Sequence, residues 1–213
     1  MVQRALIIID VQNDYFDGPV LPIEHPAREG SVAKIAEAIE VAERASMPIV
    51  AVQHELPAEA PLFAKGSTGH ALHDGVAARA TDAWLRSSKA VASVLADDEL
   101  VARLRELGVD TLTLVGYMTN NCVLGTAAAA EPMGFAVEVL SDATGAIHLE
   151  NEAGSASARQ VHETLMVLLH SNFAAVATTA AWSDAVAAEA PLQRGDLATS
   201  AARGRAAYAS SAA

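Results

Sequence analysis

Short apolar runs alternate with segments of helical spacing along the chain. Ala5–Ile9 is an unbroken apolar run, as expected of a strand that is buried on both faces. Ser31–Ser46 instead carries apolar residues at helical spacing, with Ser31 as its N-cap. The other predicted strands are Pro48–Gln53, Ala83–Ser87, Thr111–Val115, Ala136–Leu140 and Ala174–Thr178. The other predicted helices are Asp97–Leu107, Asn121–Ala130, Ser157–Leu169 and Ser183–Glu189. This alternation predicts a three-layer, doubly wound α/β fold with a mostly parallel six-stranded sheet.

The 213 residues suit one domain, which we place at residues 1–190. Within it, residues 54–82 form a long connection with several glycines and prolines. Connections of this length are often lids or binding loops. Residues 191–213 are rich in alanine and serine, and this tail is predicted to be flexible or to pack on a neighbouring subunit.

Composition narrows the class of partner. The chain is 52% hydrophobic, so it can bury a core, and its net charge is -12. It has no basic stripe, which argues against nucleic acid and anionic membranes as partners. No apolar run reaches the length of a membrane span, and the N-terminal segment is a poor signal peptide. The single cysteine, Cys122, rules out an intrachain disulfide. We therefore expect a cytoplasmic protein.

Three chemically capable side chains lie near the carboxyl ends of predicted strands, where open parallel sheets bind their ligands. Asp10 directly follows the first strand and suits a cap of the next turn or a general base about equally. Lys89 follows the third strand and by itself is typical of a surface lysine. Cys122 lies between a strand and a helix. A helix N-terminus lowers the pKa of a thiol, although most free cysteines are buried structural residues. The three strand ends can converge on one cleft.

Four segments together resemble the isochorismatase-like cysteine hydrolase superfamily, which includes nicotinamidases, N-carbamoylsarcosine amidase and isochorismatase relatives. They are LIIIDVQNDYF, SSKAVASVLADDEL, GVDTLTLVGYMTNNCVLGTAAAA and VEVLSDATG. The resemblance covers about residues 4 to 185 and depends on the order and spacing of the segments. It implies the doubly wound fold and a hydrolase of a small non-peptide amide, ureide or carbamoyl C–N bond.

The resemblance also implies roles for single residues, because Asp10, Lys89 and Cys122 match the family's catalytic triad. Asp10 would take the thiol proton and later return it to the leaving nitrogen. Lys89 would hold the pair and favour the thiolate. Cys122 would attack the carbonyl carbon and form a covalent thioester-type intermediate. A non-proline cis peptide is implied between Tyr117 and Met118, and it would direct the backbone N–H groups of Met118 and Cys122 at the developing oxyanion.

Substrate contacts are predicted from their place along the chain at the edge of the same cleft. The candidates are Asn13, Phe16, Gln53, His54, Phe63 and Tyr117. The expected partner is a small-molecule substrate, and no cofactor is expected. The resemblance implies a homo-oligomer, either a dimer or a tetramer.

A metal site is not predicted. Metal-dependent nicotinamidases carry an Asp-x-His pattern after the second strand, whereas this chain has His54 and Leu56 there. His54, His70 and His73 could still gather around an ion, although they lack a tight ligand motif.

Two other functions stay open at this point. In an isochorismate-type vinyl ether hydrolase, Asp10 would act as the acid and Cys122 would be dispensable. A catalytically silent binding homologue is the other alternative. Such a protein would have no physical reason to hold Asp10, Lys89 and Cys122 together.

Overall fold

The computed structural model describes residues 2–209. The strands are β1 (Arg4–Ile9), β2 (Ile49–His54), β3 (Leu85–Lys89), β4 (Thr111–Tyr117), β5 (Ala136–Gly145), β6 (Leu149–Asn151), β7 (Gly154–Ala156) and β8 (Ala175–Ala177). The α-helices are α1 (Arg28–Arg44), α2 (Asp74–Ala77), α3 (Asp98–Glu106), α4 (Leu124–Ala130), α5 (Ala158–Leu168), α6 (Thr179–Ala187) and α7 (Leu197–Tyr208). Met1, in the predicted domain, and residues 210–213, in the predicted tail, lie outside the described residues.

Six strands form the main sheet, in the order β3-β2-β1-β4-β5-β8. Every neighbouring pair in this sheet is parallel. The chain extends the sheet outward from β1 in one direction and then from β4 in the other, so the connections that leave β1 and β4 diverge. The predicted doubly wound α/β fold is confirmed, and its six-stranded sheet is all parallel. The crevice of such a fold lies between the carboxyl ends of β1 and β4.

The unbroken apolar run of β1 is explained by its two packed faces. Leu6 and Ile8 pack in the cluster that contains residues of α1 and α6. Ile7 and Ile9 pack in the opposite cluster, with residues of α3 and α4. Because successive side chains of a strand point to opposite faces, both sets must be apolar. Burial of each such side chain contributes roughly 1.5–3 kcal/mol, which holds β1 firmly at the centre of the sheet.

Several boundaries near the crevice differ from the prediction. The third strand was predicted at Ala83–Ser87 and runs from Leu85 to Lys89, so Lys89 ends the strand instead of following it. β3 is an edge strand with exposed polar residues, which is why an apolar pattern did not locate it. The helix predicted from Asn121 begins as an α-helix only at Leu124, after a π-helical turn at Thr119–Val123.

The apolar pattern also missed whole elements in the second half of the chain. β6 and β7 form a separate antiparallel hairpin. α7 lies within the predicted tail and has no buried residue, so helical apolar periodicity is absent there. Its Leu197 and Tyr208 are 61% and 75% exposed. Packing of this tail on a neighbouring subunit, and the oligomer itself, stay predictions. None of the helices in the described part of the chain has both the length and the apolar character that a bilayer span needs.

Candidate active site

Asp10 stands where β1 ends and the chain changes direction. Its backbone is left-handed, with φ 50, a conformation that aspartate tolerates better than most residues. Its N–H donates to Val52 O at 3.0 Å, so the residue stays attached to the end of the sheet. The side chain is almost entirely buried, with Asp10 only 2% exposed. A carboxyl group in this position is costly for the fold, which favours a chemical role over a capping role.

Cys122 lies beside Asp10, in the π-helical turn that joins β4 to α4. The Cys122 Sγ, an Asp10 carboxylate oxygen and a His54 ring nitrogen lie within 4.8 Å of one another. Cys122 is also 2% exposed. The fold thus brings together two of the three predicted catalytic residues and adds His54 to them. Single π-helical turns inside helices are frequent at functional sites.

Burial decides the proton distribution of this pair. It raises the pKa of Asp10 to about 7, although the adjacent Cys122 thiol and His54 backbone N–H oppose part of the rise. Asp10 Oδ1 has no hydrogen-bond partner among the described residues. Burial raises the pKa of Cys122 well above its ordinary value, and the negative charge of Asp10 is the second largest cause of this rise. At neutral pH the resting pair is therefore a protonated thiol beside a carboxyl group that is about half ionised.

The expectation that a helix N-terminus and Lys89 would lower the pKa of Cys122 is wrong for this resting site. Burial of the thiol raises its pKa most, and the negative charge and hydrogen bond of Asp10 raise it further. The Cys122 thiol is therefore protonated in the resting site.

Lys89 ends β3, at the same edge of the sheet, and is half-buried. Its backbone pairs in register with that of His54. Burial works against ionisation of Asp97, but hydrogen bonds from Ser87 and Leu100, together with the charge of Lys89, lower the pKa of Asp97. Within the described part of the chain, the Lys89 ammonium forms neither a hydrogen bond nor an ion pair, so its predicted place in the triad stays a prediction.

The predicted oxyanion-hole segment follows a close approach of β4 to β1. Gly116 has φ 103, and a Cβ at this position would collide with the backbone of β1, so only glycine fits. The peptide bond between Tyr117 and Met118 is cis. The Val123 N–H donates to Met118 O at 3.2 Å and closes the turn that carries Cys122. The use of the Met118 and Cys122 N–H groups as an oxyanion hole stays a prediction.

The turn that carries Cys122 is anchored at its first residue through His162 on α5. The His162 Nε2 lies 2.9 Å from Ser141 O and must donate to it, so the Nδ1 accepts from the Thr119 hydroxyl at 3.0 Å. Burial lowers the pKa of His162 to about 4, so the ring is neutral and keeps this tautomer. Thr119 is thereby held against α5 through His162.

A second anchor ties the same turn to the segment after β3. The Thr126 hydroxyl donates to Cys122 O at 2.7 Å and accepts from the Val94 N–H at 3.2 Å. Sequence reasoning identified neither Thr119 nor Thr126 as part of the site. One pattern in the sequence could have indicated Thr126: it is a polar residue in an alanine-rich helix, four residues after Cys122 and therefore on the same face.

The aromatic candidates for substrate contact are packed into the core. Tyr117 is 0% exposed, and its hydroxyl lies 2.6 Å from Ser31 Oγ, so its prediction as a substrate contact is wrong. The reason is that β4, predicted to end at Val115, extends to Tyr117 and is buried along its whole length. Phe16 and Phe63 are also buried, and Phe63 supports the His54 ring at a centroid distance of 5.3 Å. The rings of Tyr117, Phe16 and Phe63 belong to one hydrophobic cluster on one face of the sheet.

The amide candidates hold the long connection in place. The Asn13 Nδ2 donates to Thr68 O at 3.0 Å, and the Gln53 Nε2 donates to His70 O at 2.9 Å. Their amide nitrogens are therefore committed to residues 54–82 and are not available to a substrate in this state. Phe63, in the same connection, has a left-handed backbone with φ 48, which is unusual for a bulky residue.

Two side chains in the motif after Asp10 were missed as site residues. The Gln12 Nε2 donates to His54 O and His70 O, at 3.0 and 2.8 Å, while Gln12 Oε1 accepts from the His54 N–H. The Asp14 Oδ2 accepts from the Phe63 N–H at 2.6 Å. Together they fasten the long connection to the segment that follows Asp10.

The three histidines of the connection do not gather. His70 lies beside Glu55, with 3.4 Å between the Nε2 and a carboxylate oxygen. His73 stacks on Phe16 at a centroid distance of 3.8 Å. The alternative metal site of His54, His70 and His73 is therefore not formed. Asp10, His54 and Cys122 are the one set of three possible ligands that are within mutual reach in the described residues.

A carboxyl group and a thiol are buried side by side at the switch point of a doubly wound parallel sheet, where such folds bind their ligands. Comparison with known proteins makes this more specific. The isochorismatase domain model matches residues 4–181, and the chain belongs to the isochorismatase family.

Three similar proteins illustrate this membership. A crystal structure from Burkholderia xenovorans LB400, provisionally named an isochorismatase, is 45% identical, covers 98% of this chain and 99% of its own, and superimposes with a TM-score of 0.93. A secreted isochorismatase effector of Verticillium dahliae is 36% identical over 66% of this chain and 72% of its own. A nicotinamidase from Bacillus subtilis is 21% identical, covers 83% of this chain and 99% of its own, and shares the fold with a TM-score of 0.70.

Proposed function

We propose that the protein hydrolyses the C–N bond of a small non-peptide amide, ureide or carbamoyl compound, with Cys122 as nucleophile and Asp10 as the group that carries the proton. The observation that supports this most directly is the burial of both reactive atoms side by side at the sheet's switch point. A carboxyl group with a pKa of about 7 can both accept and return a proton near neutral pH.

In the first half of the proposed reaction, the Cys122 Sγ attacks the carbonyl carbon as its proton moves to Asp10. The new C–S bond makes the carbonyl oxygen an oxyanion, which the N–H groups of Met118 and Cys122 stabilise. Protonated Asp10 then gives the proton to the nitrogen, the C–N bond breaks, and the amine or ammonia leaves. The product left on Cys122 is a thioester or its carbamoyl equivalent.

In the second half, water replaces the amine. Asp10, now ionised, accepts a proton from water while the hydroxide equivalent attacks the thioester carbon. Collapse of the tetrahedral species breaks the C–S bond, and the proton on Asp10 returns to the sulfur. The net change is one C–N bond hydrolysed by one water molecule, with the enzyme restored.

An ether-hydrolase function is the second candidate, because Asp10 is also partly protonated near neutral pH and could act as an acid. That reaction leaves Cys122 without a task. A nucleophile held 2% exposed against its own base is better explained by covalent catalysis. A silent binding homologue would gain nothing from the cost of the buried carboxyl group.

A screen of small primary amides, ureides and carbamoyl compounds for released ammonia or amine tests the function. We expect turnover with at least one class and none with vinyl ethers. For the best substrate, kcat/KM should rise about tenfold per pH unit below pH 7 and level off above it, because only ionised Asp10 accepts the thiol proton. Turnover confined to vinyl ethers, or a rate that falls as the pH rises towards 7, would contradict the proposal.

Lys89 is proposed to complete the triad through its charge. We expect Lys89→Met to lower kcat by about 10²- to 10³-fold, because a cation at this edge of the sheet stabilises negative charge as it develops on sulfur and oxygen. Lys89→Arg, which keeps the charge, should retain more activity. Lys65→Met is the control, since Lys65 is exposed and paired with Glu55 in the connection. If Lys89→Met has the kcat of the wild type, Lys89 is a surface lysine without a role in catalysis.

The remaining properties stay predictions. They are a small-molecule substrate as the partner, a dimer or tetramer in solution, no required cofactor, and a cytoplasmic location. The last agrees with a single cysteine that must be reduced to act as a nucleophile.

A further inference from the structure

The catalytic pair has a third polar neighbour that the proposed reaction does not use. His54 ends β2, and one of its ring nitrogens lies within 4.8 Å of both an Asp10 oxygen and the Cys122 Sγ. The ring packs edge-on against Phe63, which limits how far it can turn away. Asp10 is only 2% exposed, and its Oδ1 has no hydrogen-bond partner among the residues described. Three different donor types therefore point at one small volume.

We propose that Asp10, His54 and Cys122 bind a thiophilic divalent cation of the Zn²⁺ class, and that this ion inhibits the enzyme by occupying the nucleophile. The binding itself depends only on the arrangement of the three side chains. The inhibition rests on the proposed function.

The donor set suits Zn²⁺ and disfavours harder cations. Thiolate sulfur, imidazole nitrogen and carboxylate oxygen bind Zn²⁺ at about 2.3, 2.0–2.1 and 2.0–2.2 Å. Around a tetrahedral ion with such bonds, ligand atoms lie roughly 3.3–3.8 Å apart. Separations of up to 4.8 Å in the resting site therefore close by small side-chain rotations. Mg²⁺ and Ca²⁺ prefer several oxygen ligands, and this site offers one carboxylate.

The charge balance also favours an ion of this class. Ionised Asp10 and the Cys122 thiolate supply two negative charges, which the ion offsets in a volume from which water is excluded. Burial lowers the pKa of the His54 ring, which favours the neutral form that binds metals. Above pH 7, binding releases one proton per ion, from the Cys122 thiol. Protons compete with the ion for these ligands, so affinity falls as the solution becomes more acidic.

The position of the site separates it from the metal pattern considered from the sequence. That pattern needed a ligand at Leu56 or a gathering of His54, His70 and His73, and neither is present. The proposed ion shares only His54 with it. Because the other two ligands are the nucleophile and its base, an ion here blocks the reaction and cannot assist it.

Calorimetric titration of the full-length, chelator-treated protein with ZnCl₂ at about pH 8 tests binding without any substrate. We expect one ion per chain and one proton released, measured from the dependence of the heat on the buffer. Titration with Cd²⁺ should produce the ultraviolet sulfur-to-metal charge-transfer band, which reports the Cys122 thiolate as a ligand. Absence of binding, or binding without the charge-transfer band, would overturn the proposal.

Three variants locate the ion. Cys122→Ser and His54→Gln keep the size of the side chain and should each weaken binding at least roughly tenfold. His70→Ala is the matched control, because it removes a histidine of the connection that lies outside the cluster, and it should bind as the wild type does. Thermal melts check that all three are folded. Unchanged affinity in Cys122→Ser, or loss of binding in His70→Ala alone, would place the ion elsewhere and overturn the proposal.

A measurement of activity tests whether the ion inhibits the enzyme. Its outcomes distinguish a failure of this inhibition from a failure of the proposed function. With a substrate from the screen, Zn²⁺ should inhibit, excess chelator should restore the rate, and chelator alone should not lower it. If chelator abolishes activity and Zn²⁺ restores it, the ion is a cofactor and the inhibitory role is wrong. If no amide, ureide or carbamoyl compound is turned over, the proposed function fails while the calorimetric result stands.

Discussion

Replacing Cys122 with alanine is expected to lower kcat/KM for C–N hydrolysis by at least about 10⁴-fold, with the fold retained. Loss of the nucleophile removes the covalent route entirely, and what is left is water attack in a site shaped for another reaction. The buried sulfur contributes packing as well, so stability should fall by about 1 kcal/mol. Steady-state kinetics and a thermal melt measure the two effects.

Two related variants make this result interpretable. Cys122→Ser keeps the shape and offers a hydroxyl, which is harder to deprotonate beside Asp10, so it should be nearly as inactive as Cys122→Ala. Thr126→Ser, which keeps the hydroxyl that bonds Cys122 O, should retain most of the activity. Near-wild-type turnover by Cys122→Ala would rule out covalent catalysis and favour the ether-hydrolase function.

Asp10→Asn is expected to abolish hydrolysis and at the same time to stabilise the fold. Burial raises the pKa of Asp10 from 3.8 to about 7, so the folded protein holds a proton that the unfolded chain releases between these pH values. The free energy of unfolding of the wild type therefore decreases as pH rises from about 4 to 7 and is level above 7. The shift corresponds to about 4 kcal/mol, which the neutral amide avoids.

Thermal unfolding of Asp10→Asn and wild type across this pH range measures the effect. The two should be of similar stability near pH 4, and the variant should gain on the order of 10 °C in Tm by pH 8. Asp17→Asn is the control, because Asp17 is an exposed carboxylate a few residues further along the chain. A stability difference that does not grow with pH would mean that Asp10 is ionised in the fold without cost.

These two expected results describe one property of the site. A buried carboxyl group lowers the stability of the fold but suits proton transfer near neutral pH. Its protonated and ionised forms are then both populated. The same removal of water keeps the Cys122 thiol protonated until a substrate is present. Gln12 and Asp14 fasten the long connection beside this site.

The fold was predictable from local patterns because a doubly wound sheet requires them. β1 must be apolar on both faces, and α1 must repeat its apolar residues at helical spacing, so both elements are visible in the sequence. β3 and α7 were misplaced or missed for the opposite reason: an edge strand and a helix with no buried residue have no apolar pattern to read. The resemblance to a known family supplied Asp10, Lys89 and Cys122 together, which the spacing alone did not.

The sequence by itself determined the sheet, the strand ends that carry Asp10 and Cys122, and the family, because these follow from residue order and local patterns. Only the tertiary structure decided that Tyr117 is core, that His54 joins the pair, and that Lys89 is not yet paired with it. It also decided the direction of the pKa shift of Cys122. Distances across the sheet and the loss of water depend on residues far apart in the chain, and no local pattern contains them.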